Sequence, residues 1–369
     1  MLSRRRPPDF MLFCSVLALL TFGLVMVFSA SEVSAYYRYN GDIFYYFKKQ
    51  LLWAAIGVGV MLLFQNYDFW KLRKYVWPTL VVSFILLILV LIPGVGKVVN
   101  GAQRWIDLGF TRFQPSEIIK LSLVLFVAHL AAVQRGAIRN VGRGLLPHLA
   151  VLAACCLLIL AQPDLGTAMA AAGTVYIMLF AAGARGKHLT NLAILGVSAI
   201  GLAIALEPYR MSRFLAFMNP FADPKGAGYH IIQSLYAIGS GGFFGVGLGN
   251  GMQKHNYLPE QHTDFIFAVI NEELGFVGGS LVILLFVLFV WRGLKVAITS
   301  PDPFGSMLAV GITSMVALQA VVNMGVVTGS LPITGITLPF ISFGGSSLVF
   351  TLAGVGILLN ISRHSTNRW

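Results

Sequence analysis

The chain has 369 residues; 57% are hydrophobic, only 11% are charged, and the mean hydropathy is +0.79. A soluble domain is about one-quarter charged, so a water-soluble globular enzyme, a disordered chain and a coiled coil are excluded. The apolar runs are also too long for the short alternating strands of an outer-membrane barrel. What remains is an all-α, polytopic integral membrane protein.

A bilayer core needs roughly 20 apolar residues per helix. Ten such runs are predicted: about 10–30, 49–66, 75–93, 115–134, 147–162, 166–184, 189–207, 262–291, 305–328 and 340–361. The first follows Arg4-Arg5-Arg6 and is longer than the apolar region of a secretory signal, so it is read as a retained helix. Only the turn Gln162-Pro163-Asp164-Leu165-Gly166 separates the fifth and sixth. The eighth is too long for one simple crossing, and its first turns are expected to stand above the membrane or to line a cavity. Cys14, Cys155 and Cys156 all lie in apolar runs and read as small core residues.

The net charge is +12. With both termini in the cytoplasm, the inner side holds fifteen basic residues: Arg4, Arg5, Arg6, Lys71, Arg73, Lys74, Arg135, Arg139, Arg143, Arg185, Lys187, Arg292, Lys295, Arg363 and Arg368. Against them stand only Asp9, Asp68 and Asp302. The remaining eleven basic and eleven acidic residues cancel. The whole excess is therefore a positive-inside signal, and no nucleic-acid partner is needed to explain it.

Three outer loops are long: about 31–48, 94–114 and 208–261, the last lying between helices 7 and 8. Loops of this length are usually functional or disordered. Half of the fourteen acids sit in or near the last one: Glu207, Asp223, Glu260, Asp264, Glu272, Glu273 and Asp164. Nucleotide motifs fail. Gly94-Val95-Gly96-Lys97 lacks the upstream glycine of a phosphate-binding loop, and Val98 stands where Ser or Thr is required.

The densest polar segment runs from Tyr257 to Gly275. Thr263 is placed to cap a helix there, and Asp264 then lies near the positive end of the helix dipole. A carboxylate at the membrane edge, followed by Phe265-Ile266-Phe267, is costly and by default a functional group. Glu272 and Glu273 lie two turns deeper, and at least one must be paired. A second cluster comprises Arg104-Trp105-Ile106-Asp107 and Gln114-Pro115-Ser116-Glu117 with Lys120. Glu117 and Lys120 share a helix face, either as an internal ion pair or with Lys120 and Arg104 free to contact a diphosphate. A third cluster, Leu331 to Ser347, has two prolines and three glycines, and breaks helix regularity where only protein or a cavity can tolerate it. Together the clusters describe an extracytoplasmic site for an amphiphilic, phosphate-bearing lipid, as an enzyme or as a transporter.

At this point the chain resembles the SEDS family (shape, elongation, division, sporulation). The resemblance rests on Tyr257 to Gly275, Arg104-Trp105-Ile106, Gln114-Pro115-Ser116-Glu117 with Lys120, Gln162 to Thr167, Asn219-Pro220 with Asp223-Pro224, Gly228-Tyr229 with Gln233-Ser234, and Gly344 to Leu348, and it spans the whole chain. The Leu258 to Phe267 run is similar to the FtsW branch and its sporulation paralogue SpoVE rather than to the RodA type. The resemblance implies a peptidoglycan glycosyltransferase that polymerises lipid II on the outer face of the bacterial cytoplasmic membrane, enriched at the division septum. In such a reaction the acceptor GlcNAc 4-hydroxyl attacks C1 of the donor MurNAc, undecaprenyl diphosphate leaves, and a β-1,4 bond forms with inversion.

The resemblance makes Asp264 the catalytic carboxylate, as general base or as ligand to a divalent cation, Mg or Mn. It makes Arg104, Lys120, Arg210 and Arg213 candidates for offsetting diphosphate charge, with Glu117 positioning Lys120. Ser346 and Ser347 are candidate sugar or phosphate contacts. Asp164, Glu260, His262 and Thr263 support the site. The implied partners are lipid II, a class B penicillin-binding protein transpeptidase and other divisome membrane proteins. Two other readings compete: a lipid II flippase, which needs a polar path across the whole membrane, and a membrane scaffold, which needs no carboxylate beside an apolar cavity.

Overall fold

The computed structural model describes residues 6–99, 101–107, 109, 112–134, 136–255 and 257–365. The charge-bias residues Arg4, Arg5, Arg135 and Arg368 lie outside the described residues. The helices, in chain order, are α1 (Phe10–Arg38), α2 (Tyr45–Asn66), α3 (Val76–Leu91), α4 (Pro115–Val133), α5 (Leu146–Ala161), α6 (Leu165–Ala181), α7 (Gly186–Ala205), α8 (Pro208–Met218), α9 (Tyr229–Gly241), α10 (Ile266–Thr299), α11 (Pro303–Val327) and α12 (Gly345–Ser362). Among the described residues nine helices are long and apolar enough to cross a membrane, and Leu165–Ala181 is a shorter apolar one. They follow the order of the ten predicted runs.

The bundle is built around α4, α11 and α12, whose side chains are mostly buried. Around this centre, α12 packs along α2, α10 along α11, and α1 against both α2 and α10. At the rim, α7 buries only Leu189 of its twenty residues. The three cysteines are unpaired.

The outer connections are more ordered than the sequence predicts. The 31–48 loop shrinks because α1 continues to Arg38 and α2 starts at Tyr45. Ser31 and Ser34, inside the stretch read as loop, are buried with Ser29 on the inward face of the last turns of α1. The 94–114 loop carries a small antiparallel sheet, β1 (Gly96–Val99), β2 (Ala102–Asp107) and β3 (Arg112–Phe113), with Gly96 opposite Ile106 and Asp107 opposite Arg112. The 208–261 connection holds α8 and α9.

Helix α10 begins at Ile266 rather than at residue 262, and α12 at Gly345 rather than at 340. With 34 residues, α10 would be about 51 Å long if straight, well beyond a ~30 Å hydrocarbon core. It is broken at Gly275, where φ is 65° and ψ −163°. No side chain is tolerated easily in that conformation, and an added Cβ would meet the backbone of Phe243 and Gly245. The outer segment, Ile266 to Leu274, is thus a separate short helix carrying Glu272 and Glu273.

The inner end is held by side chains at the rim. Asp9 caps α1 by accepting from Leu12 N (3.0 Å) and pairs with Arg292 at the far end of α10. Arg73 pairs with Asp302 at 3.0 Å. Asn360 accepts from Phe69 N (3.1 Å) and donates to the carbonyl of Gln65 (2.8 Å).

Candidate active site

The segment from Gln261 to Phe265 is held at the outer end of the bundle by backbone and side-chain hydrogen bonds from three directions. Gln261 Nε2 donates to the carbonyls of Ala30 and Lys254 and to Ser34 Oγ, each at 2.9 Å. Asn323 of α11 donates from Nδ2 to the carbonyls of Asp264 (2.7 Å) and Ile336 (2.8 Å). Ser342 Oγ donates to the carbonyl of Thr263 (2.6 Å) and accepts from Leu338 N (2.8 Å), while Phe343 N donates to the carbonyl of His262 (2.9 Å). The irregular strap before α12 is therefore stitched to the Asp264 segment along its length. This is how the proline- and glycine-rich strap satisfies its backbone inside the protein, as such backbone must at this depth.

Gly335 brings the strap against the carboxylate. Its φ is +75°, and a Cβ there would stand 3.6 Å from Asp264 Oδ2.

Asp264 is half-buried by surface area. Desolvation, reinforced by the nearby Glu260 carboxylate, pushes its pKa up from the usual range to about 7. Arg213 and Arg104 oppose that shift, and Asp164 adds to it. The five groups therefore share one electrostatic environment. Arg213 is itself desolvated, which lowers its pKa; its guanidinium stacks 4.4 Å from the Tyr209 ring centroid and donates to the Ile333 carbonyl at 3.5 Å.

The sequence-predicted residues divide into two groups. Arg104 and Asp164 are drawn to the site as a pair, 3.6 Å apart. Arg104 donates from Nε to the Gln162 carbonyl (3.0 Å) and from Nη2 to the Pro163 carbonyl, and Asp164 caps α6 through Thr167 N (3.0 Å). Arg104 thus locks the α5–α6 turn and is not a free guanidinium. Thr263 does not cap α10: its hydroxyl donates to Glu260 Oε2 (2.8 Å) and Phe265 occupies the cap position without a side-chain bond. Glu260 takes a left-handed conformation, φ 51°, so this turn is strained for a residue with a side chain. His262 is buried against the ring of Tyr46, 4.5 Å away, and burial lowers its pKa to about 4, so it is neutral at physiological pH.

Other candidates serve the frame. Lys120 and Glu117 form the internal ion pair, 2.9 Å apart and both buried. Arg210 reaches the carbonyls of Ala203 (3.1 Å) and Leu160 (3.5 Å) and so ties α8 to α7 and α5. Ser346 and Ser347 lie in the first turn of α12, beside α2, and take no part in the hydrogen bonds that order Asp264.

Sequence reasoning passed over Asn323, Ser342, Gln261, Tyr209, His230 and Lys254. Burial lowers the pKa of His230, the Arg213 charge adds to that shift, and Glu260 opposes it. Asn323 sits inside an apolar run, and that isolated amide was a signal that could have found it. Among the described residues no three His, Cys, Asp or Glu side chains gather to hold a metal ion. Asp264 shares its surroundings with the Arg104 and Arg213 guanidinium charges and with the Glu260 and Asp164 carboxylates.

The chain matches the sequence family of cell cycle proteins that comprises FtsW, RodA and SpoVE over residues 10–367. The chain belongs to the FtsW/RodA/SpoVE family. It is 49% identical to the stage V sporulation protein E of Bacillus subtilis over 99% of this chain and 100% of that protein. It is 46% identical to the probable peptidoglycan glycosyltransferase FtsW of Trichlorobacter lovleyi over 96% and 93% of the two chains. Among solved structures it resembles a chain of a peptidoglycan synthase complex that coordinates polymerization and crosslinking, with a TM-score of 0.78, 33% identity and coverage of 96% and 98%. It also resembles the rod shape determining protein RodA of Thermus thermophilus, with a TM-score of 0.70, 31% identity and coverage of 96% and 97%. The FtsW/RodA/SpoVE architecture thus extends along the whole bundle described above.

Proposed function

We propose that this family member is a peptidoglycan glycosyltransferase that polymerises lipid II on the outer face of the cytoplasmic membrane, for septal wall synthesis. The observation that carries the reading is Asp264: a half-buried carboxyl, fixed by its backbone, with a pKa near 7 and two arginines in range. A general base works best with a pKa close to the working pH. In the proposed step Asp264 accepts the proton of the acceptor sugar's 4-hydroxyl as its oxygen bonds to C1 of the donor. The C1–O bond to the diphosphate breaks, and its electron pair leaves with undecaprenyl diphosphate.

Arg213 is the cation best placed to stabilise the charge growing on the diphosphate, because it is partly desolvated and near Asp264. Arg104 supports the site by holding the turn that carries Asp164. The likeness to a peptidoglycan synthase complex supports a class B penicillin-binding protein as the crosslinking partner.

The test is polymerisation of labelled lipid II by the purified protein, with and without its transpeptidase, read as glycan polymer on a gel. Asp264→Asn is expected to lower the rate by about 10²- to 10⁴-fold while lipid II binding persists. EDTA is expected to leave the wild-type rate unchanged. Wild-type rates from Asp264→Asn would overturn the base role, and loss of polymer in EDTA would move Asp264 to the coordination of a cation carried by the diphosphate.

A further inference from the structure

A further polar cluster lies beside the Asp264 segment, and the chemistry proposed above makes no use of its charges. Lys254, in the connection between α9 and α10, is fully buried at 0% exposure. Its ammonium meets Glu32 Oε1 at 2.6 Å, the Gly249 carbonyl at 2.6 Å, Glu273 Oε1 at 3.1 Å and Ser29 Oγ at 3.4 Å. Glu273, also at 0% exposure, accepts from Ser29 Oγ through Oε2 at 2.6 Å, and its contact with Lys254 is electrostatic rather than a well-aligned hydrogen bond. Next to it, Glu272 accepts from the backbone N–H groups of Met252 (2.7 Å) and Gln253 (3.1 Å).

The cluster joins three pieces of chain. Ser29 and Glu32 belong to α1. Glu273 belongs to the outer segment of α10, next to the break at Gly275. Lys254 belongs to the connection leading into Asp264. A buried ammonium and a buried carboxylate are expensive to desolvate, and each is tolerable only with the other in place. A bulky hydrophobic contact would be the cheaper way to fill the site.

We propose that Lys254 is a positioning residue: by bridging Glu273 and Glu32 it sets the placement of the 253–264 connection, and so of the Asp264 carboxylate, relative to α1 and α10. The link to Asp264 is short. The Lys254 carbonyl accepts from Gln261 Nε2, which also grips Ala30 and Ser34 of α1, and Gln261 is three residues from Asp264. The proposal rests on the reading of Asp264 as the base, since it is the placement of that carboxylate that Lys254 would control.

The test compares the wild-type full chain with Lys254→Arg, with the double variant Lys254→Met/Glu273→Gln, and with Asp264→Asn. The double variant removes both buried charges, so it can fold where Lys254→Met alone would strand Glu273. The readouts are lipid II KM and kcat, and hydrogen exchange of the 257–265 amides. The double variant is expected to lose about 10- to 100-fold in kcat, the scale of effect of small misplacements of a reacting group, with KM within about twofold. Exchange at 257–265 is expected to quicken, and Lys254→Arg to recover part of kcat. A folded double variant with wild-type kcat and wild-type exchange would overturn the proposal, as would a fall in kcat with exchange unchanged. If Asp264→Asn instead polymerises at the wild-type rate, the base reading falls, and unchanged exchange in the double variant would then overturn the positioning role independently.

Discussion

The two ends of α10 use charge in opposite ways. At the inner end Arg292 pairs with Asp9, part-buried at 16% and 9% exposure, and beside it Arg73 pairs with Asp302, more open at 40% and 21%. At the outer end Lys254 and Glu273 pair with no exposure at all, and Asp264 lies desolvated among other charged groups. Rim pairs stabilise by about 1 kcal/mol or less because solvent screens them. Buried charges are costly, and a protein retains them where their position matters more than the stability they sacrifice. The inner end therefore reads as a clasp that closes the bundle and orients it in the membrane, and the outer end as the place where placement of charge has a use.

The sharpest way to break this comparison is to neutralise one carboxylate at each end. Asp264→Asn is expected to reduce polymerisation by about 10²- to 10⁴-fold. Asp9→Asn, which loses the Arg292 pair and weakens the α1 cap, is expected to leave the rate within about twofold, with its effect confined to stability. Equal losses of rate in the two variants would remove the distinction. The next effect is in stability. Lys254→Met leaves Glu273 buried without its cation and is expected to destabilise by about 3–5 kcal/mol, whereas Arg73→Ala is expected to cost at most about 1 kcal/mol. Denaturation of the two variants in the same lipid or detergent decides between them.

The inner end was the more legible in the sequence, because the bias of Lys and Arg needs only a count. The helices were legible too, since each is an apolar run bounded by polar residues. The boundary at the end of α1 failed for a definite reason. Ser31 and Ser34 read as loop but lie with Ser29 on the polar lining of a helix, and the partners of Ser34 and Ser29, Gln261 and Lys254, lie more than 220 positions away. Asp264 could be found from its apolar followers alone. Arg213 was a candidate too, but the order of residues did not show that Asn323 and Ser342 reach the same segment from separate elements. The same distance effect explains Arg104 and Arg210, which look like free phosphate-binding cations in sequence and are engaged by backbone carbonyls in the fold.

The smallest expected effect is also the most specific to Asp264. Its pKa is raised from 3.8 to about 7 in the folded chain, with burial as the main cause. A carboxyl raised in this way contributes stability that is fully present below its unfolded pKa and is lost as pH rises through about 7. The ionised base is the active form, so the rate is expected to climb with pH and level off above about 7, with the acid limb of kcat reporting this group. Stability moves the other way. At pH 8 the wild type holds a partly desolvated charge that Asp264→Asn lacks, so the variant is expected to melt about 2–4 °C higher, the shift that about 1 kcal/mol produces in a chain of this order of size. At pH 5 the folded wild type is already protonated, and the gap is expected to narrow. A pH-independent gap for Asp264→Asn, together with a rate flat between pH 5 and 8, would mean that its carboxyl is ionised throughout and that the outer end does not desolvate its charge as the comparison requires.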